Sequence, residues 1–139
     1  MTAPTTSPAA NVELVRAGFQ VFNTGDTDAC LALIAPDLVI NLAELPEPRR
    51  GREEWRQGFE IMRRAFPDLR AHIEDIFGAE DKVAVRVRFR GTHSGEFLGF
   101  AATGRAVEYV SHEFYRIADG LIAEEWICSD MATLLGQIG

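Results

Sequence analysis

The chain has 139 residues, 47% of them hydrophobic and 25% charged, with a formal net charge of −7. That length supports one domain with a sizeable core, and the acidic balance argues against nucleic acid or an anionic membrane surface as a partner. No apolar run reaches the ~20 residues needed to span a bilayer, and two cysteines, Cys30 and Cys128, make neither a disulfide framework nor a structural zinc site.

The opening MTAPTTSPAA lacks the basic start and apolar centre of a secretory signal. Residues 1–10 are expected to form a disordered tail ahead of a single domain over 11–139, in a cytoplasmic protein. Within that tail, Ser7-Pro8 is a helix-start signal. Val12, Val15, Phe19 and Phe22 recur at helical spacing until Gly25. Asp26 or Thr27 can cap a short second helix, with Leu31 and Ile34 on one face and Pro36 at its end. Leu38 to Leu42 reads as a short apolar strand containing Asn41. Residues 43–51, with Pro46 and Pro48, read as an exposed loop. A third helix spans Arg52 to Phe66, where Trp55, Phe59, Met62 and Phe66 form a core stripe and Trp55 is core or pocket wall.

The remainder is mostly strand. Leu69 to Phe77 alternates weakly. Lys82 to Arg90 alternates cleanly, with Val83, Val85, Val87 and Phe89 on one face and Arg86, Arg88 and Arg90 on the other. Gly91 to Gly104 is a long glycine-rich loop in which His93 is either an anchor or a lid residue. Val107 to Trp126 then forms two strands folded back at Asp119-Gly120, a strong hairpin signal. Ser129 or Asp130 caps a last helix, Met131 to Ile138. The pattern is α+β, with helices on one face of a curved sheet.

The hairpin is the candidate chemical centre, because Glu113, Glu125, Tyr109 and Tyr115 lie in a segment apolar enough to be sheet interior. Buried acids are costly unless paired or protonated. A two-residue turn sets Glu113 opposite Trp126, whereas a three-residue loop sets it opposite Glu125 on one face. Two facing glutamates can hold one proton, one serving as base and the other as donor to an oxyanion. Asn41 could bind a substrate carbonyl. The competing structural reading pairs Glu113 with Arg86 or Arg88 as a buried ion pair. His112 points away from Glu113 by alternation, which favours an interface or core role. The histidines are too scattered for a metal motif, and no nucleotide-binding or nucleophile-elbow signature is present.

Several segments together carry a resemblance: Asn23-Thr24-Gly25-Asp26, Phe66-Pro67-Asp68-Leu69, Asp81-Lys82-Val83-Ala84-Val85-Arg86, Gly91-Thr92-His93, Glu96-Phe97-Leu98-Gly99 and Tyr115-Arg116-Ile117-Ala118-Asp119-Gly120. In order and spacing they resemble the SnoaL-like polyketide cyclases of the nuclear-transport-factor-two-like superfamily, over residues 11 to 138. The resemblance implies a cone-shaped, curved, mixed but largely antiparallel sheet, with N-terminal helices on its concave face enclosing a pocket, often as a homodimer. It implies intramolecular aldol ring closure on a hydrophobic, carbonyl-bearing small molecule, without metal or cofactor. Phe19, Trp55, Phe59, Asn41, Tyr109, Tyr115 and Ile127 would line the pocket, with Arg88, His93 and His112 in secondary roles. The resemblance also puts 113 and 127 on one face, which favours the three-residue loop.

The general-base aspartate of the characterised cyclases falls at Ile127 here, and their histidine at Glu113. Ketosteroid isomerases of the superfamily have an oxyanion-stabilising acid at the Glu113 position, but their base matches Leu42 and their tyrosine Gly18, which disfavours that chemistry. Glu113 and Glu125 are therefore the expected catalytic pair. The alternatives are a binding or assembly domain without turnover, and an epoxide-opening enzyme holding water with Asn41, Glu113 and Arg88.

Overall fold

The computed structural model describes residues 6–139. Residues 1–5 of the expected tail lie outside the described residues. Helix α1 (Pro8–Thr24) starts where Ser7 caps it by accepting the Ala10 N–H, so residues 8–10 are helical. Gly25, with φ 75°, ends α1 in the left-handed conformation that glycine tolerates. Asp26 caps the short helix α2 (Thr27–Leu31).

The first strand, β1, runs from Ile34 to Leu42 and is longer than the sequence suggested. Pro36, read as a helix stop, instead sits inside it, where the pairing register shifts between Ile34 and Val39. An irregularity of that kind is where a strand accommodates proline. The expected loop at 43–51 contains a two-residue strand, β2 (Arg49–Arg50), on the outer side of β1. Helix α3 (Arg52–Ala65) follows, and then β3 (Arg70–Ala79), β4 (Lys82–Thr92), β5 (Ala106–Ala118), β6 (Leu121–Ser129) and α4 (Met131–Ile138).

The six strands form one unclosed sheet in the order β2-β1-β6-β5-β4-β3. All neighbours are antiparallel except β1 and β6, which run parallel. Alternation assigns the faces. Val83, Val85, Val87 and Phe89 of β4, and Val107, Tyr109, Ser111, Glu113, Tyr115 and Ile117 of β5, are all buried. The apolar residues among them pack in one core with Val15 and Phe19 of α1 and Leu134 and Ile138 of α4.

Arg63 ties α3 to α1. Its guanidinium lies 4.7 Å from the Phe22 ring centre and 5.3 Å from that of Phe59, and donates to the carbonyls of Phe22 and Leu69. A cation at the C-terminal end of α1 also meets the negative end of the helix dipole.

At the hairpin, Asp119 and Gly120 both have positive φ, 54° and 73°, as a two-residue turn with the twist of its strands requires. The pairing then shifts by one residue, from Ile117↔Ile122 to Arg116↔Glu124. Ala123 is the extra residue of this bulge, which makes Ile122 and Ala123 buried in succession. Neither register expected from the sequence is therefore observed. Glu113 lies opposite Ile127, and Tyr115 opposite Glu125. The bulge cancels the flip that a two-residue turn alone would impose, so Glu113 and Glu125 share the inner face as diagonal rather than direct neighbours.

Candidate active site

Glu113 and Glu125 are 4% and 3% exposed. Across the sheet, Glu113 has Val85 on one side and Ile127 on the other, so its strand neighbours bring no cation. Its carboxylate accepts a hydrogen bond from the Tyr115 hydroxyl. Burial raises its pKa, and hydrogen bonding by Ser111 and Tyr115 opposes the rise. Burial pushes Glu125 up to about 8, the charge of Glu113 adds to this, and hydrogen bonding by Trp55 opposes it. Burial thus favours the neutral form of both acids, and the charge of Glu113 raises Glu125 further.

The aromatic lining follows the inner face. Phe19 meets Tyr115 edge-on at 6.2 Å, and Trp55 stacks on Phe59 at 5.1 Å. Tyr109 stacks on Phe89 at 5.2 Å, and burial, with the Glu113 charge, raises its pKa. Tyr115 is raised well above the ordinary phenol value, chiefly by burial, and stays a proton donor. Tyr115→Phe keeps the ring packing and removes one donor. We expect the Glu113 carboxyl of this variant to titrate at higher pH, because a donor that opposes its rise is gone. Infrared titration of the carboxyl band, with Glu113→Gln as the reference, checks this.

Four sequence expectations are corrected here. Asn41 lies beside Trp126 on the outer face and donates to the Glu124 carboxylate at 3.1 Å and the Glu125 carbonyl at 2.9 Å, so it cannot reach a substrate beside Glu113. The misreading arose because the parity of β1 depends on its pairing with β6. Arg88 also points outward and pairs with Glu74 and with Glu108 (3.4 Å), while Arg86 reaches Glu74 at 3.8 Å. The ion pair proposed for Glu113 is thus absent. His112 is exposed on the outer face opposite Cys128, as alternation required, but it is not core.

His93 is fully buried and anchors its loop. It accepts the Thr103 N–H at 3.2 Å through Nδ1, meets the Thr103 hydroxyl at 3.0 Å, and packs on Phe66. The fourth correction concerns the pocket. A cleft of about 670 Å³ is lined by Asn23, Arg63, Arg64 and Arg70 among others, and another of about 240 Å³ by Arg16, Phe19 and His72 among others. Neither acid lines either of these clefts, and both are buried.

Sequence reading overlooked Ser111, which is fully buried two residues from Glu113 on the same face. The alternation that selected Tyr109, Glu113 and Tyr115 also selects position 111. Among the described residues, no three His, Cys, Asp or Glu side chains come together as a metal site would require.

Residues 12–138 match the model of the SnoaL-like polyketide cyclases. The chain belongs to that family. It is 30% identical over 131 residues to the aklanonic acid methyl ester cyclase DauD of Streptomyces sp. (strain C5), covering 92% of this chain and 81% of DauD. Among solved structures, IdmH from Streptomyces antibioticus, assigned as a polyketide cyclase, is 39% identical with a TM-score of 0.81, covering 93% of this chain and 98% of IdmH. AclR from Streptomyces galilaeus, assigned as a hydroxylase, superposes with a TM-score of 0.88 at 29% identity, covering 96% of this chain and 83% of AclR. The fold expected from the sequence, a curved and mostly antiparallel α+β sheet, is the one observed, although the sheet does not close.

Proposed function

We propose that this chain is a cofactor-independent cyclase that closes a ring by intramolecular aldol-type attack in a hydrophobic, carbonyl-bearing small molecule such as a polyketide. The observation that carries the reading is the buried Glu113–Glu125 pair, donated to by Tyr115 and left without a neutralising arginine. Structural ion pairs are usually satisfied; two unneutralised acids on one inner face are costly and call for a functional account.

The Glu113 carboxylate takes a proton from carbon α to a carbonyl. The resulting enolate carbon bonds to a second carbonyl carbon, and Glu125 gives its proton to the alkoxide so formed. Substrate entry requires the half-buried cover of Leu42, Trp55 and Ile127 to move aside. The two free cysteines are consistent with the reducing cytoplasm; no helix among the described residues is long and apolar enough to cross a membrane.

Aklanonic acid methyl ester, the compound in DauD's name, is the first substrate to test, with related β-dicarbonyl polyketides beside it. Chromatography should separate a ring-closed product from starting material incubated without protein. The second reading, a binding domain without turnover, is favoured by the burial of both acids and by Ile127 at the family's base position. It predicts a raised melting temperature with the ligand recovered unchanged. The epoxide-opening alternative loses its basis, because Asn41 and Arg88 lie across the sheet from Glu113.

A homodimer is also part of this proposal. Phe77, Ala84, Phe114 and Trp126 are register neighbours across four strands, and Phe77 and Phe114 are 61% and 52% exposed. Arginines 86, 88, 90 and 116 are interleaved on this face with Glu74, Glu108 and Glu124. A second copy related by a two-fold axis could cover the stripe and match the charges. Phe114→Glu should then halve the mass seen by light scattering; an unchanged mass, or a monomeric wild type, removes the dimer.

A further inference from the structure

Glu113 is sealed from solvent, yet a base must exchange its proton to be used again. Tyr115 contacts the carboxylate on one side. On the other side, along the same inner face, lies Ser111, 0% exposed, whose hydroxyl is 3.0 Å from that of Ser129. Ser129 is the register partner of Ser111 and the last residue of β6. It is half-buried and is followed by exposed Asp130, where the chain leaves the sheet to start α4. Past this point α4 takes over the free edge of β5: Asp130 N–H donates to the Val110 carbonyl at 2.9 Å, and Gln137 exchanges two hydrogen bonds with the Glu108 backbone. The serine pair therefore lies at the end of β6, where a fully buried hydroxyl meets a half-buried one beside exposed Asp130.

We propose that Ser111 and Ser129 form a two-hydroxyl proton conduit between Glu113 and solvent. Among the described residues, the other groups around Glu113 offer no exposed hydroxyl, and its register partner Ile127 is half-buried but apolar. Tyr109, Tyr115 and Glu125 are themselves buried, β4 presents Val85 and Val87, α1 presents Phe19, and α3 contributes the Trp55 indole. Hydrogen bonding between Ser111 and Glu113 also opposes the rise that burial imposes on the carboxyl. In the protonating direction, a hydronium ion passes a proton to Ser129 Oγ, Ser129 passes its own to Ser111 Oγ, and Ser111 passes its own to the carboxylate. Each hydroxyl breaks one O–H bond and forms one; the net change is one carboxylate neutralised and one hydronium converted to water. Both serines act through Glu113 and are positioning residues. The conduit's use in turnover rests on the proposed role of Glu113 as base, while its outer link rests on the contact between the two serine hydroxyls.

The test needs no substrate. After a rapid drop in pH, time-resolved infrared spectroscopy follows the carboxyl C=O band of the intact chain, and Glu113→Gln identifies the Glu113 contribution. Ser111→Ala and Ser129→Ala should each slow protonation of Glu113 by about tenfold or more, whereas Ser111→Thr, which keeps a hydroxyl, should restore the rate. A rate unchanged in both alanine variants, or one that Ser111→Thr fails to restore, overturns the conduit. Ser129→Ala alone is a sufficient arm if Ser111→Ala does not fold. A hydroxyl-dependent rate together with no ring closure by the wild type would remove the cyclase reading and leave the conduit in place.

Discussion

Glu125→Gln is expected to be far more stable than the wild type at about pH 9 and to match it closely at about pH 4. In the folded chain, burial and the Glu113 charge move Glu125 from the ordinary 4.5 up to about 8. Below the ordinary value, folded and unfolded chains both hold the proton, and this group adds no pH dependence. Between the two values the unfolded chain releases the proton and the folded chain does not, so stability falls as pH rises. Above about 8 the loss is complete, on the order of 5 kcal/mol. Glutamine has no proton to release and still offers Trp55 an acceptor. Urea unfolding of both proteins across this range provides the check: parallel curves would mean that Glu125 titrates as a solvated acid.

The second large effect is on turnover. Glu113→Gln keeps the shape and the Tyr115 contact but removes the only group on the inner face assigned as base. The ring-closing rate should fall by about 10²- to 10⁴-fold with little change in KM. The wild-type profile should be bell-shaped, its ascending limb set by ionisation of Glu113 and its descending limb, near pH 8, by loss of the Glu125 proton. Retention of full turnover in Glu113→Gln would end the proposed mechanism.

Much of this arrangement was legible because β-strand alternation is a local property. Val107, Tyr109, Glu113, Tyr115 and Ile117 follow one another at period two, and Val83 to Phe89 do the same on the neighbouring strand. Asp119-Gly120 also signalled its turn correctly. What alternation cannot show is an inserted residue: Ile122 and Ala123 are both apolar, so nothing marks which is the bulge, and that residue fixes the offset between Glu113 and Glu125. Asn41 failed for a related reason. Its face is set by a parallel partner about eighty residues later, a relation that no local pattern encodes. The arginines were placed on the correct face, but their acids come from β3 and the start of β5 rather than from the sheet interior.

The parallel pairing of β1 with β6 also dictates when the centre can exist during synthesis. Ile40 lies beside Glu125 and Leu42 beside Ile127, so residues 34–42 must wait for 121–129 before that half of the sheet can close. Contacts of such sequence separation form late and slowly, because the intervening chain must be ordered first. On a ribosome, α1–α3 and β3–β4 can emerge and pack while Glu113 still lacks its neighbours on β6. Only after β6 has cleared the exit tunnel can the acid pair be buried, so a nascent chain ending short of residue 129 cannot assemble it.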